Sequence, residues 1–245
     1  MADRAPPAAP WFRTYLWGPQ KHDLAYAFGS AEFRRHFRDV LVGERQGRRY
    51  AIAMFSLIAT IVVALTLALP GFDRSFVLLL PVYFIAFNAA EYLLHRFPMH
   101  RRMKGMELVF EHVTVHHNFY ADEHYYYESP RDFYAVVLPF HVFLSLSAAI
   151  CSGALVAYLV AGAGHALFFA WVGYAYYLLY ELLHFCYHTN EDNLVRALPF
   201  IDRLSRAHRL HHRTSLMTRY NFNITFPIFD RLCGTSYRAR EADPT

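Results

Sequence analysis

The chain has 245 residues, of which 55% are hydrophobic, 18% aromatic and only 18% charged, with a formal net charge of +4. A soluble domain usually carries about 25% charged residues, so this composition excludes an ordinary soluble protein. Three cysteines, Cys151, Cys186 and Cys233, stand far apart and form neither a disulfide framework nor a CxxC site.

Residues 1–49 are charged and proline-rich, with no short apolar run of the signal-peptide kind. Their stretch "APPAAPWFRTYLWGPQKHDLAYAFG" combines Pro, Trp and Tyr and reads as a cytoplasmic, interfacial segment along the head groups. From residue 50 onward the chain reads as a single membrane-embedded, all-α domain. Four apolar stretches, about 50–72, 75–94, 133–161 and 166–183, are each long enough to cross a bilayer as a helix. The first two are joined by "PGFDR" and the last two by "AGAGH", which predicts two helical hairpins. The polar remainder, 95–132 and 184–245, is expected to form a helical cap.

Orientation follows from the basic residues. Of 24 Lys and Arg, nine lie in residues 1–50, five between His95 and Arg131, and nine after His184. Only Arg74 falls in a link between two spans. By the positive-inside rule both termini and the cap are cytoplasmic, in a bacterial inner membrane or the endoplasmic reticulum. The basic residues flank spans, so phospholipid head groups account for them better than nucleic acid does.

Fifteen histidines are present, and ten fall in four tight groups within the cap segments: His95 and His100; His112, His116 and His117; His184 and His188; His208, His211 and His212. On an α-helix, His184/His188 and His208/His211/His212 share a face, as do His112 and His116, with His117 turned about 100° further. His95 and His100 would diverge on a straight helix, and Pro98 between them frees His100 to turn back. Ten imidazoles exceed the four ligands of one structural zinc, so they predict a two-metal site. Imidazole suits Fe, Zn, Cu and Ni. His22, His36, His124, His141 and His165 lie outside the groups and read as packing or surface residues. Glu91, four before His95, and Glu181, three before His184, sit on the faces of their histidines. Each is expected to accept a ring N–H and so orient a ligand. The aromatic run "EHYYYESPRDFY" belongs at a membrane interface and suits either a substrate entrance or simple anchoring.

The ordered boxes H-x4-H, H-x3-HH, H-x3-H and H-x2-HH are followed by the tail "NFNITFPIFDRLCGT". Together they resemble the fatty acid hydroxylase superfamily, the membrane di-iron group that includes sterol desaturase, C4-methyl sterol oxidase and fatty acid 2-hydroxylase. The resemblance spans roughly residues 80–238. It implies four transmembrane helices, a cytoplasmic cap holding two iron ions, and O2-dependent hydroxylation of an unactivated C–H bond in a lipid or sterol-like substrate. Desaturation or multi-step oxidation is the alternative within the superfamily, and a non-enzymatic membrane metal binder the alternative outside it. By position, all ten grouped histidines would be metal ligands. Zinc competes for such nitrogen sites, so a zinc-loaded sample would be compatible. The second box departs from the usual H-x2-HH, which makes His112 the odd ligand. Asn223 stands where Gly is usual, near the expected metal wall. With no haem-attachment motif, Gly-rich dinucleotide loop or fused cytochrome-b5 motif, electrons would come from a separate ferredoxin or cytochrome-b5-like donor with its reductase.

Overall fold

The computed structural model describes residues 28–43, 45–71, 73–101, 103–106, 109, 112–190 and 198–237. The Pro- and Trp-rich opening segment therefore lies, up to residue 27, outside the described residues. All regular structure among those described is helical.

Helix α1 (Ala31–His36) starts at Ser30, whose hydroxyl accepts the N–H of Phe33, and runs into a π turn at Phe37–Val42. Arg38 on that turn makes a two-pronged pair with Asp132 at 2.7 and 2.8 Å, and Arg34 pairs with Glu128 at 2.8 Å. Arg34 also lies over the Phe119 ring. These contacts latch the N-terminal helix onto residues 119–132.

Four helices are long and apolar enough to cross a membrane: α2 (Gly47–Ala68), α3 (Arg74–Leu94), α5 (Phe140–Ala161) and α6 (Ala163–Tyr187). At 1.5 Å per residue each rises about 30 Å or more. They are not equivalent. Within the most apolar window, 56% of α6 is buried, against 17% for each of the other spans. Helices α2, α3 and α5 all pack on α6. Although α2 and α3 are joined by a short link, each contacts α6 more than it contacts the other. The Tyr-rich sequence of α6 suits this central place, since Tyr174, Tyr176, Tyr177, Tyr180 and Tyr187 are all buried. Only Gly162, at φ +86°, separates α5 from α6, a left-handed conformation that favours glycine.

The third span does not run from 133 to 161 as one helix. A short helix, α4 (Phe133–Val136), ends at Val137, and α5 starts at Phe140. Pro139 explains the break, because it disfavours helical geometry at Leu138 and supplies no N–H to the carbonyl of Ala135 four residues earlier. The opened backbone is taken up by other helices. The Leu138 carbonyl accepts the Tyr50 hydroxyl from α2 at 2.8 Å, and its N–H lies 3.5 Å from the Glu181 carboxylate on α6. Two further helices complete the fold, α7 (Pro199–His211) and α8 (Ile228–Leu232), which pack on α6 and α3 respectively.

Candidate metal centre

The ten grouped histidines converge, and all ten are buried. Helix α6 delivers His184 and His188, and α7 delivers His208, His211 and His212. The other five depend on π turns. His95–Met99 is a π turn continuing α3, and His112–His117 is another. Their i→i+5 hydrogen bonding widens the turn by about one residue. That brings His95 and His100, five apart, onto one side, with ring centroids 4.9 Å apart. Pro98 thus sits within a widened turn rather than ending the helix. The same widening absorbs the extra residue of the second box, so His112, His116 and His117 all face the centre. His112 Nε2 lies 2.9 Å from His95 Nε2.

Two sets result. In one, His116, His184, His188, His208 and His212 present ligand atoms within 4.8 Å of one another. In the other, His95, His100, His112 and His117 do the same. His211 joins the edge of this second set, its Nε2 3.1 Å from those of both His95 and His100.

Ring orientation is set by the main chain. Nδ1 of His116 donates to the Ala135 carbonyl at 2.7 Å, the group Pro139 leaves free. His188 Nδ1 donates to Tyr125 at 2.7 Å, His211 Nδ1 to Tyr220 at 2.7 Å, and His212 Nδ1 to Tyr120 at 3.1 Å. His95 Nδ1 donates to Phe222. A carbonyl only accepts, so in each of these rings Nδ1 carries the hydrogen and Nε2 is a lone pair. Yet Nε2 of His116 faces that of His212 at 3.1 Å, and Nε2 of His95 faces that of His211 at 3.1 Å. Two lone pairs cannot hydrogen-bond. Burial, reinforced by the neighbouring imidazoles, holds His100, His112, His116, His117, His208, His211 and His212 well below the usual imidazole range, so protonation does not relieve the repulsion. His117, fully buried, has no hydrogen-bond partner at either nitrogen. A cation in each set would satisfy the opposed Nε2 lone pairs and one of the two nitrogens of His117.

The two carboxylates do not orient imidazoles in the way the spacing suggests. Glu91 accepts instead from the Ile224 and Thr225 N–H groups and from the hydroxyls of Thr225 and Tyr176. Glu181 lies against Leu138 N, and its Oε1 has no hydrogen-bond partner. Main-chain carbonyls take the ring N–H groups because the loops at 120–125 and 220–222 leave them unpaired by helix. Asp230, fully buried, accepts the N–H groups of Phe222 and Asn223 at 2.9 and 2.7 Å. Two buried carboxylates therefore hold four consecutive N–H groups of residues 222–225, and this fixes the Phe222 carbonyl on His95. Asn223, expected near the metal wall, is tied into the same loop. Its Oδ1 accepts from Phe229 and Asp230 N–H, and its Nδ2 donates to the Asn88 carbonyl at 3.1 Å. Nor does Tyr125 of the aromatic run face an entrance; it is 1% exposed, and its ring packs 4.6 Å from that of His188.

Sequence reasoning missed the 222–225 loop and the freed carbonyls. Pro139 was a readable signal for one of them. Beside the second set lies a half-open apolar cavity of about 80 Å³, reached by His95 and lined mainly by residues of α3, α5 and α6.

A family model described as Fatty acid hydroxylase matches residues 80–235, well over half of the chain and inclusive of all ten histidines. No curated protein and no solved structure matches it.

Proposed function

Because the chain belongs to the fatty acid hydroxylase family, we propose that it is an O2-dependent di-iron monooxygenase that places oxygen into an unactivated C–H bond of a lipid. The observation that carries this reading is the pair of opposed Nε2 lone pairs, one in each buried set. His116, His184, His188, His208 and His212 would hold one iron, and His95, His100, His112, His117 and His211 the other. Seven Nε2 pairs within the two sets lie 2.9–3.2 Å apart, close enough for the nitrogens of each set to share one ion. When bound, the iron pair supplies the activation of O2 and the oxidation of the C–H bond.

The chain's own residues position and exclude. The carbonyls of Ala135, Tyr120, Tyr125, Tyr220 and Phe222 keep the ring protons off the metal side. Glu91 and Asp230 hold the loop that carries the last of these, and Glu181 supports the broken backbone at Leu138. The buried rings keep water from the centre, and the apolar cavity at His95 offers space for an aliphatic carbon. The spans would form two hairpins, with the termini and the metal centre on the cytoplasmic side of a bacterial inner membrane or the endoplasmic reticulum, where a ferredoxin or cytochrome-b5-like protein delivers electrons.

The test is anaerobic loading with Fe(II), counting metal per chain, followed by reductant, O2 and a lipid extract. Two irons and a product heavier by one oxygen are expected. A product lighter by two hydrogens would move the assignment to a desaturase, which needs the same ligands. Loaded protein that oxidises nothing would leave a metal-binding membrane protein.

A further inference from the structure

A second space, a groove bounded by α3, α7 and α8, shares no lining residue with the cavity beside His95. It is half-open, with a volume of about 720 Å³. That falls within the roughly 300–1,000 Å³ of ligand-sized pockets. Phe84, Phe200, Leu204, Leu210, Phe226 and Ile228 supply an apolar wall, and Arg203, Arg206 and Arg231 stand in the same lining. All three arginines are exposed. Arg206 pairs with Asp202, while the side chains of Arg203 and Arg231 have no partner among the described residues. The one carboxylate in the lining, Asp230, is buried and already accepts from Phe222, Asn223 and Thr235. No carboxylate is left to receive a cationic head group, so the charge favours an anion.

The anion is not a small one. Phe84 sits about 15 Å before the end of α3, a helix long and apolar enough to cross a membrane. Phe200 and Leu232, on the cap helices that carry the arginines, are 55% and 73% exposed. A soluble anion would use the arginines and leave this apolar surface in water; a phospholipid uses both. Basic pockets beside membrane spans are where anionic head groups bind. The groove also adjoins the metal centre. Asn221 and Asn223 line it, while the carbonyl of Phe222 between them holds His95 Nδ1. Asn221 donates to the carbonyls of Ala207 on α7 and Tyr237 at 3.0 and 3.1 Å, and Asn223 to that of Asn88 on α3.

We propose that the groove seats one anionic phospholipid of the surrounding bilayer, its phosphate at Arg203, Arg206 and Arg231, as a bound lipid and not as the molecule oxidised. The seated lipid braces residues 221–223 and so steadies the hold of Phe222 on His95. The seat stands on the groove alone; its effect on metal rests on the proposed function, since it reads the iron of the His95 set.

The full chain, loaded anaerobically with Fe(II), is placed in nanodiscs of phosphatidylcholine with or without phosphatidylglycerol, and retained lipid is read by native mass spectrometry. The wild type should keep one phosphatidylglycerol, preferred over phosphatidylcholine by roughly tenfold or more. A chelator should strip one of the two irons more slowly, by about threefold or more, in discs that contain phosphatidylglycerol. The double variant Arg203→Gln/Arg231→Gln changes two exposed side chains and should lose both the preference and the slower stripping while still loading two irons. Arg35→Gln, an exposed arginine of α1, should keep both effects. Equal retention of the two lipids would overturn the seat. So would a preference that Arg35→Gln weakens as much as the double variant does, because leaflet charge alone would then account for it. Displacement of the lipid by inorganic phosphate would overturn it in favour of a soluble anion. Ferredoxin binding that the double variant abolishes, with no lipid preference, would overturn it in favour of an acidic protein. Retained lipid with unchanged iron loss would overturn the bracing. Lipid retention is readable on metal-free protein, so a seated lipid on a chain that takes up no iron would sink the monooxygenase reading and leave the seat standing; two irons and oxidised product without lipid preference would do the reverse.

Discussion

The two imidazole sets contain similar donors but hang from different scaffolds. The set of His116, His184, His188, His208 and His212 draws four members from α6 and α7 and their immediate ends, and three of its rings are fixed by carbonyls of Ala135, Tyr125 and Tyr120. The set around His95 hangs largely from two π turns. Its fixed rings, His95 and His211, depend on the 220–222 segment; His100 Nδ1 and both nitrogens of His117 have no hydrogen-bond partner, while in the first set the same is true of Nδ1 of His184 and of His208. This second set also adjoins the apolar cavity. Pre-oriented ligands bind metal more tightly because less freedom is lost on binding. The difference teaches that the set beside the apolar cavity, which would hold one proposed metal, has the less fixed frame, with two rings held by carbonyls against three in the other set.

The largest expected effect comes from His116→Ala, which should leave at most one iron per chain and lower product formation by more than about 100-fold. His100→Ala should also lose one iron, but from the weaker position. Metal analysis across a chelator series reads the contrast, and identical retention curves for the two variants would break the comparison. Glu91→Ala sharpens it from another side. It strips acceptors from two buried N–H groups and two hydroxyls, at about 1–3 kcal/mol for each group left unpaired, and should empty the His95 set first. Denaturation and iron counting on the same sample check this; loss from both sets in parallel would show that the loop does not serve one centre in particular. Arg38→Ala leaves Asp132 without its two-pronged partner and should cost about 2 kcal/mol of stability with both irons retained. The smallest effect per group is that of pH on the metal-free protein. The folded imidazoles are held below the unfolded value of about 6.5, so below that pH the unfolded chain binds more protons. Stability should therefore be full above pH 6.5 and fall as pH drops, by up to about 1.4 kcal/mol per pH unit for each imidazole. A melting midpoint that is flat between pH 5 and 8 would contradict the burial of these rings as neutral bases.

The four spans and the grouped histidines were legible because hydropathy and residue identity are written directly in the sequence. The π turns were not, since a helical wheel presumes a constant 3.6 residues per turn, and the spacing of His112 looked anomalous only against that ruler. Glu91 drew attention for its distance from His95, yet its partners are Ile224 and Thr225, more than 130 positions away. No local periodicity reports a contact of that range. The central place of α6 was equally hidden, because all four spans pass as lipid-facing by composition and only packing shows which of them lies within the others.

Five of the rings are steered by peptide oxygens, and that has a practical consequence. A peptide oxygen belongs to every residue type alike, so Tyr120, Tyr125, Ala135, Tyr220 and Phe222 can drift in identity while still performing this task. Scanning mutagenesis that trims side chains will find these positions quiet or will misread them as simple packing. Replacing single amides by esters one residue downstream, or shifting the chain by one residue, is what would expose them.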